Sequence, residues 1–148
     1  SEIEHTIDDS YVRTAYLDMV STVATSEQRI RAILQHIKWL KEGSNKWSKS
    51  RSYVINSFLV LVSKHGKIDQ KHETIDIITI ILEKNLIRKR IDDKIVRENF
   101  LKLVQVSGTR LQQQAAIIQT ENWLKNHKNR SIEYLYRNIH SLVENSNY

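Results

Sequence analysis

Proline is absent from this 148-residue chain, cysteine is absent, and glycine occurs only at positions 43, 66 and 108. Without cysteine there is no disulfide framework, no thiolate metal site and no cysteine nucleophile. With so little glycine and no proline, a β-sandwich or barrel built on many tight turns is excluded as a reading. The same scarcity suggests a domain trimmed of its linkers. No apolar run approaches the roughly 18–20 residues that span a bilayer, so membrane insertion is not expected. The first residues, Ser1-Glu2-Ile3-Glu4-His5, are acidic and polar, the reverse of a signal peptide, and an intracellular location, nuclear or cytoplasmic, is expected.

What is present is globular. Hydrophobic residues make up 40% and charged residues 27% of the chain, and the length fits one domain over 1–148 with a flexible lead-in at 1–8 and a frayed tail at 145–148. Formal net charge is +6 and unevenly placed. Residues 1–28 carry Glu2, Glu4, Asp8, Asp9, Asp18 and Glu27 against Arg13, or −6 + 1 = −5, which leaves 6 + 5 = +11 on the remainder. A basic body implies an anionic partner or a set of solvated helix faces.

Hydrophobic spacing is helical throughout. Val12, Ala15, Tyr16, Met19, Val20 and Val23 form one stripe and read as the inward face of a first helix. Thr25-Ser26-Glu27-Gln28 has the spacing of a capping box, and Thr109 with Gln112 repeats it. A second helix puts Ile30, Ile33, Leu34, Ile37 and Leu40 inward, and Gly43 is placed for a left-handed cap. Tyr53–Val62 and Ile75–Ile87 are apolar around most of their circumference, as central helices are. The rival for 75–82 is a strand, since β-branched residues dominate it. Gly66 should end the third helix. Later helices carry Val96, Phe100, Leu103 and Val104, then Leu111, Ala115, Ile118 and Leu124, then Ile132, Leu135, Tyr136, Ile139, Leu142 and Val143.

The expectation is an all-α fold of about seven helices in antiparallel pairs. The pair length of about 40 residues is that of HEAT- and armadillo-type arrays, a right-handed superhelical stack, and a compact helical bundle fits the same spacing. The likeness is in period only, with no residue pattern read as shared between pairs.

Catalytic and metal signatures are lacking. His72-Glu73-Thr74-Ile75-Asp76 begins like a zinc-protease helix but has Asp76 where a second histidine is needed, so no metal ligand set and no cofactor is expected. His65 and His72 bracket a turn and read as solvated. No serine sits on a glycine-flanked elbow, and adjacent carboxylates at Asp8-Asp9 and Asp92-Asp93 point apart on a helix.

The basic residues are more informative. Lys46, Lys49 and Arg51 surround Trp47, with Trp39 near, and Arg88, Lys89, Arg90, Lys94 and Arg97 form a second cluster. Cations interleaved with a ring suit an acidic or phosphorylated protein segment, or DNA or RNA through phosphate contacts and stacking. The plainer alternative is that the tryptophans pack inside with cationic stems covering them. These residues point to a non-enzymatic interaction module of a larger assembly. Nucleic-acid binding is the alternative, and a helical enzyme with a site assembled from distant residues is a further one.

Overall fold

The computed structural model describes residues 9–42, 49–88, 94–126 and 139. Among them the chain is all-helical: α1 (Ser10–Val23), α2 (Ser26–Glu42), α3 (Lys49–His65), α4 (Ile68–Arg88), α5 (Lys94–Ser107) and α6 (Arg110–Asn126). Residues 75–82 are helical. Core packing of long apolar side chains on both sides of α4 overrides the strand preference of its isoleucines. The expected seventh helix lies outside the described residues except Ile139, which is helical and buried with Trp123 and Leu124. Gly43 also lies outside them.

Neighbour relations follow chain order. Helices α1, α3 and α5 pack side by side, as do α2, α4 and α6, and each odd helix packs on the even helix that follows it. That is two layers of helix pairs stacked in sequence, with α3 and α4 in the middle and buried from both sides.

The stacking reveals a register the spacing alone did not. Helices α2, α4 and α6 begin at Ser26, Ile68 and Arg110, 42 residues apart (68 − 26 and 110 − 68). Shifted by that interval the pairs share residues: Val12, Val54 and Val96; Leu17, Leu59 and Leu101; Val20, Val62 and Val104; Gln28, Gln70 and Gln112; Ile33, Ile75 and Ile117; Leu40, Leu82 and Leu124. The pairs therefore do share a residue pattern, which corrects the reading by period alone.

Identical chemistry closes each pair. Gln28, Gln70 and Gln112 accept the N–H of Thr25, Lys67 and Thr109 at 2.9, 3.1 and 3.0 Å. Thr25 and Thr109 return the bond to the glutamine N–H, completing two capping boxes. One residue on, Arg29 donates to the carbonyls of Val20 and Ser21, and Gln113 donates to those of Val104 and Gln105. These are the orphan acceptors at the end of the preceding helix.

Glycine at 66 and 108 follows from close approach. A Cβ there would lie 2.7 Å from the carbonyl oxygen of Val62 or Val104. Both glycines donate tightly to those carbonyls, at 2.8 and 2.9 Å, whereas Ala24, at the equivalent turn, reaches Val20 only at 3.4 Å. The alanine methyl is accommodated by a looser cap.

Gly108→Ala should therefore destabilise the fold by about 1 kcal/mol, while Ala24→Gly changes stability by a few tenths. Urea-unfolding midpoints of the two variants measure this, and equal midpoints would contradict the close-approach explanation.

Candidate protein-binding face

The first helix shows where the fold departs from its own hydrophobic pattern. Of the stripe expected to face inward, only Val20 is buried. Val12, Met19 and Val23 are 75%, 65% and 72% exposed, and Tyr16 is 43% exposed. Helix α1 instead buries Leu17, Val20 and Ser10. In the later pairs the counterparts of Val12, Tyr16 and Met19 are fully buried: Val54, Phe58 and Leu61, then Val96, Phe100 and Leu103.

The repeat explains the difference. On α3 and α5 this stripe points toward the preceding pair. The counterpart of Val23 is His65, whose Nε2 donates to the Ser21 carbonyl of α1 at 2.9 Å. The counterpart of Ala15 is Asn99, which bonds Asn56 of α3. Phe58 stacks on the His36 ring of α2 at 6.1 Å. On α1 the same stripe has no described pair before it. Burying a Val-, Met- or Phe-sized side chain is worth about 1.5–3 kcal/mol, so this face is a large apolar surface still in contact with water.

A groove of about 510 Å³ runs along it, between α1 and α2. Tyr16, Met19, Val20, Val23 and Ala24 supply the apolar wall, and Gln28, Arg31 and Gln35 of α2 the polar one. Among the described residues no ion pair involves Arg31. The chemistry on offer is a hydrophobic seat bordered by one guanidinium and two amides.

Behind Tyr16 lies a compact ring cluster. His36 is buried, sandwiched between Tyr16 and Phe58, and its Nδ1–H donates to the Ala32 carbonyl at 2.8 Å. That leaves Nε2 as an acceptor 3.3 Å from the Arg13 guanidinium. Burial holds the imidazole below its ordinary pKa; the bond to Ala32 and the Asp9 carboxylate oppose this and Arg13 adds to it. Arg13 is ion-paired to Asp9 at 2.7 Å and lies over the Trp39 ring at 5.0 Å. Arg51 covers the same ring at 4.2 Å. Burial, with Arg13 second, lowers the Arg51 pKa from its ordinary value. The arginine–tryptophan pair recurs 84 residues on (97 − 13 and 123 − 39), where Arg97 lies 5.1 Å over Trp123. In the middle pair Ile55 and Ile81 occupy those positions, both buried.

The sequence-derived basic residues are thus dispersed in role. Arg97 is fully buried on Trp123 and bonded to Gln119, and Arg51 is buried on Trp39, so both guanidiniums serve the fold. A planar cation on an indole face explains why sequence alone reads them as surface charge. Lys94 is half-buried at the start of α5. Lys49 and Arg88 lie at helix ends, their side chains outside the description, and Lys46, Trp47, Lys89 and Arg90 lie outside the described residues.

His65 and His72 do not meet. His72 donates to the Ser107 carbonyl at 3.0 Å, so each histidine ties its helix to the C-terminal end of an odd helix in a neighbouring pair. Asp76 accepts from Gln112. Among the described residues no group of three His, Asp or Glu side chains gathers, and no helix is long and apolar enough to cross a membrane. Sequence reasoning missed Arg31, Gln28 and Gln35 as site residues; the 42-residue register was the signal that singles them out.

No family model matches the chain, and no curated protein or solved structure matches it significantly.

His36 gives a pH dependence with a definite sign. Its folded pKa lies below the unfolded value near 6.5, so the unfolded chain binds more protons in that range. Stability is full above about pH 6.5 and falls as pH drops toward the folded pKa, because burial disfavours the charged imidazolium and a proton on Nε2 would also face Arg13. Thermal midpoints from pH 7.5 to 5 should decline in the native protein and flatten in His36→Gln over the same range. An equal decline in both would show that other groups control it.

Proposed function

We propose that this chain is a non-enzymatic helical interaction module of a larger intracellular assembly, and that its ligand is an acidic segment of protein. The observation that supports this reading is the apolar stripe of α1, exposed at positions that are buried in the two later pairs. Arg31 beside that stripe supplies a cation with no internal ion pair among the described residues, and the +11 balance of residues 29–148 favours approach of an anionic partner. An apolar helix face with charge at its edge is the chemistry of helix-in-groove recognition.

The basic clusters read from the sequence keep a secondary part. Lys46, Lys49, Arg88, Lys89, Arg90 and Lys94 contribute to the field that draws an acidic segment in. Tyr16, stacked on His36 at 6.0 Å, takes the role of aromatic anchor that Trp47 held in the sequence reading.

The test is a titration with a labelled synthetic helix carrying Leu at helical spacing on one face and Glu on the other. Binding should weaken at least several-fold in Met19→Asp and in Arg31→Glu. No binding of that peptide counts against the proposal. Labelled single- and double-stranded oligonucleotides at two salt concentrations provide the contrast. Tight, steeply salt-dependent binding of either would assign the surface to nucleic acid instead.

A further inference from the structure

We propose that the open face of α1 and α2 is the seat for one more helix pair, one with an apolar ridge and an acidic even-helix face, docked in the 42-residue register of the stack; this rests on the protein-binding reading and specifies the partner's form.

Every side chain on the polar wall of the groove has a counterpart that already makes an inter-pair contact. Gln112, the counterpart of Gln28, donates to the His72 carbonyl at 3.0 Å and to Asp76 at 2.9 Å on α4. Gln119, the counterpart of Gln35, donates to the Thr79 carbonyl at 3.0 Å and to Glu83 at 3.2 Å on the same helix. Glu73, the counterpart of Arg31, pairs with Lys41 of α2 at 2.7 Å. On the apolar wall, the counterparts of Tyr16 and Val23 are Phe58 and His65, both of which reach into the first pair. The groove is therefore one half of a joint whose other half is seen twice elsewhere in the molecule.

The chemistry of the absent half follows from those two joints. Gln28 and Gln35 require acceptors, which α4 supplies as two carbonyls and two carboxylates. Arg31 requires a carboxylate where the first joint places Lys41, because the sign on this side is reversed. The occupant is a helix pair with an apolar ridge and acidic residues on the even-helix face.

A second copy of this chain does not meet that requirement. The positions equivalent to Lys41 are Glu83 in the middle pair and Lys125 in the last (83 − 41 and 125 − 83 are both 42). A head-to-tail copy would bring Lys125 against Arg31. Like charges at that contact oppose self-stacking, and Ile139 already packs on Trp123 and Leu124 in the last pair.

The experiment appends a copy of residues 52–93 directly ahead of Ser10, which keeps the 42-residue interval and offers Asp76 and Glu83 to the groove. If the seat is real, hydrogen exchange of the α1 amides slows at least tenfold and the Met19 methyl resonance shifts. Met19→Asp should abolish the slowed exchange. Glu83→Lys in the appended copy, or Arg31→Glu, should reverse at least threefold of the protection, and the two together should restore it. An appended pair that leaves α1 exchange unchanged, or protection indifferent to the charge swaps, overturns the proposal. Sedimentation of the unextended protein should show a monomer. A dimer dissolved by Met19→Asp would assign the face to a second copy and overturn it as well. Because the appended pair brings its own acidic face, this experiment can succeed even where the free acidic peptide fails to bind, so the two readings fail separately.

Discussion

The joint between successive helix pairs is the constraint on which the structure depends. Each pair ends its odd helix in a tight turn, caps its even helix with a glutamine, and offers an apolar stripe to the pair before it. Inside the stack that stripe is satisfied: Val54, Phe58 and Leu61 bury against the first pair, and Val96, Phe100 and Leu103 against the second. Polar side chains police the same joints. His65, Gln112 and Gln119 donate to carbonyls and carboxylates of the neighbouring pair, and Lys41 meets Glu73. Such bonds add modest net energy each but penalise any slipped register that leaves them unmade.

Where the joint is not completed, function is to be sought. The first pair has the donors and the apolar stripe of an inner pair, with no pair ahead of it among the described residues. Its charged residue at the joint is Arg31, where the middle pair has Glu73. Arg13, Arg51 and Arg97 lie on Trp39 and Trp123, where the flat guanidinium stacks on the indole face.

Much of this was legible from residue order. Thr25 with Gln28 and Thr109 with Gln112 announced two helix starts, and both form reciprocal caps. Gly66 marked the end of α3, and the apolar circumference of residues 53–62 and 75–87 marked the central pair. Val96, Phe100, Leu103 and Val104 faced inward as their spacing required. The failures share a cause. Val12, Met19 and Val23 on α1, and Leu111, Ala115 and Ile118 on α6, have helical spacing yet are exposed, while Ala116, Ile117 and Trp123 of α6 are buried. Spacing identifies an apolar face but says nothing of whether a neighbour is there to cover it.

What the sequence determined by itself is the helical nature of the chain, its turns and the approximate pair length, because periodicity, caps and scarce glycine act over a few residues. What only the tertiary structure decided is which apolar faces are joints between pairs and which stays exposed. That distinction depends on pairs separated by 42 residues being brought side by side, and it sets Arg31, Gln28 and Gln35 beside the uncovered stripe of α1.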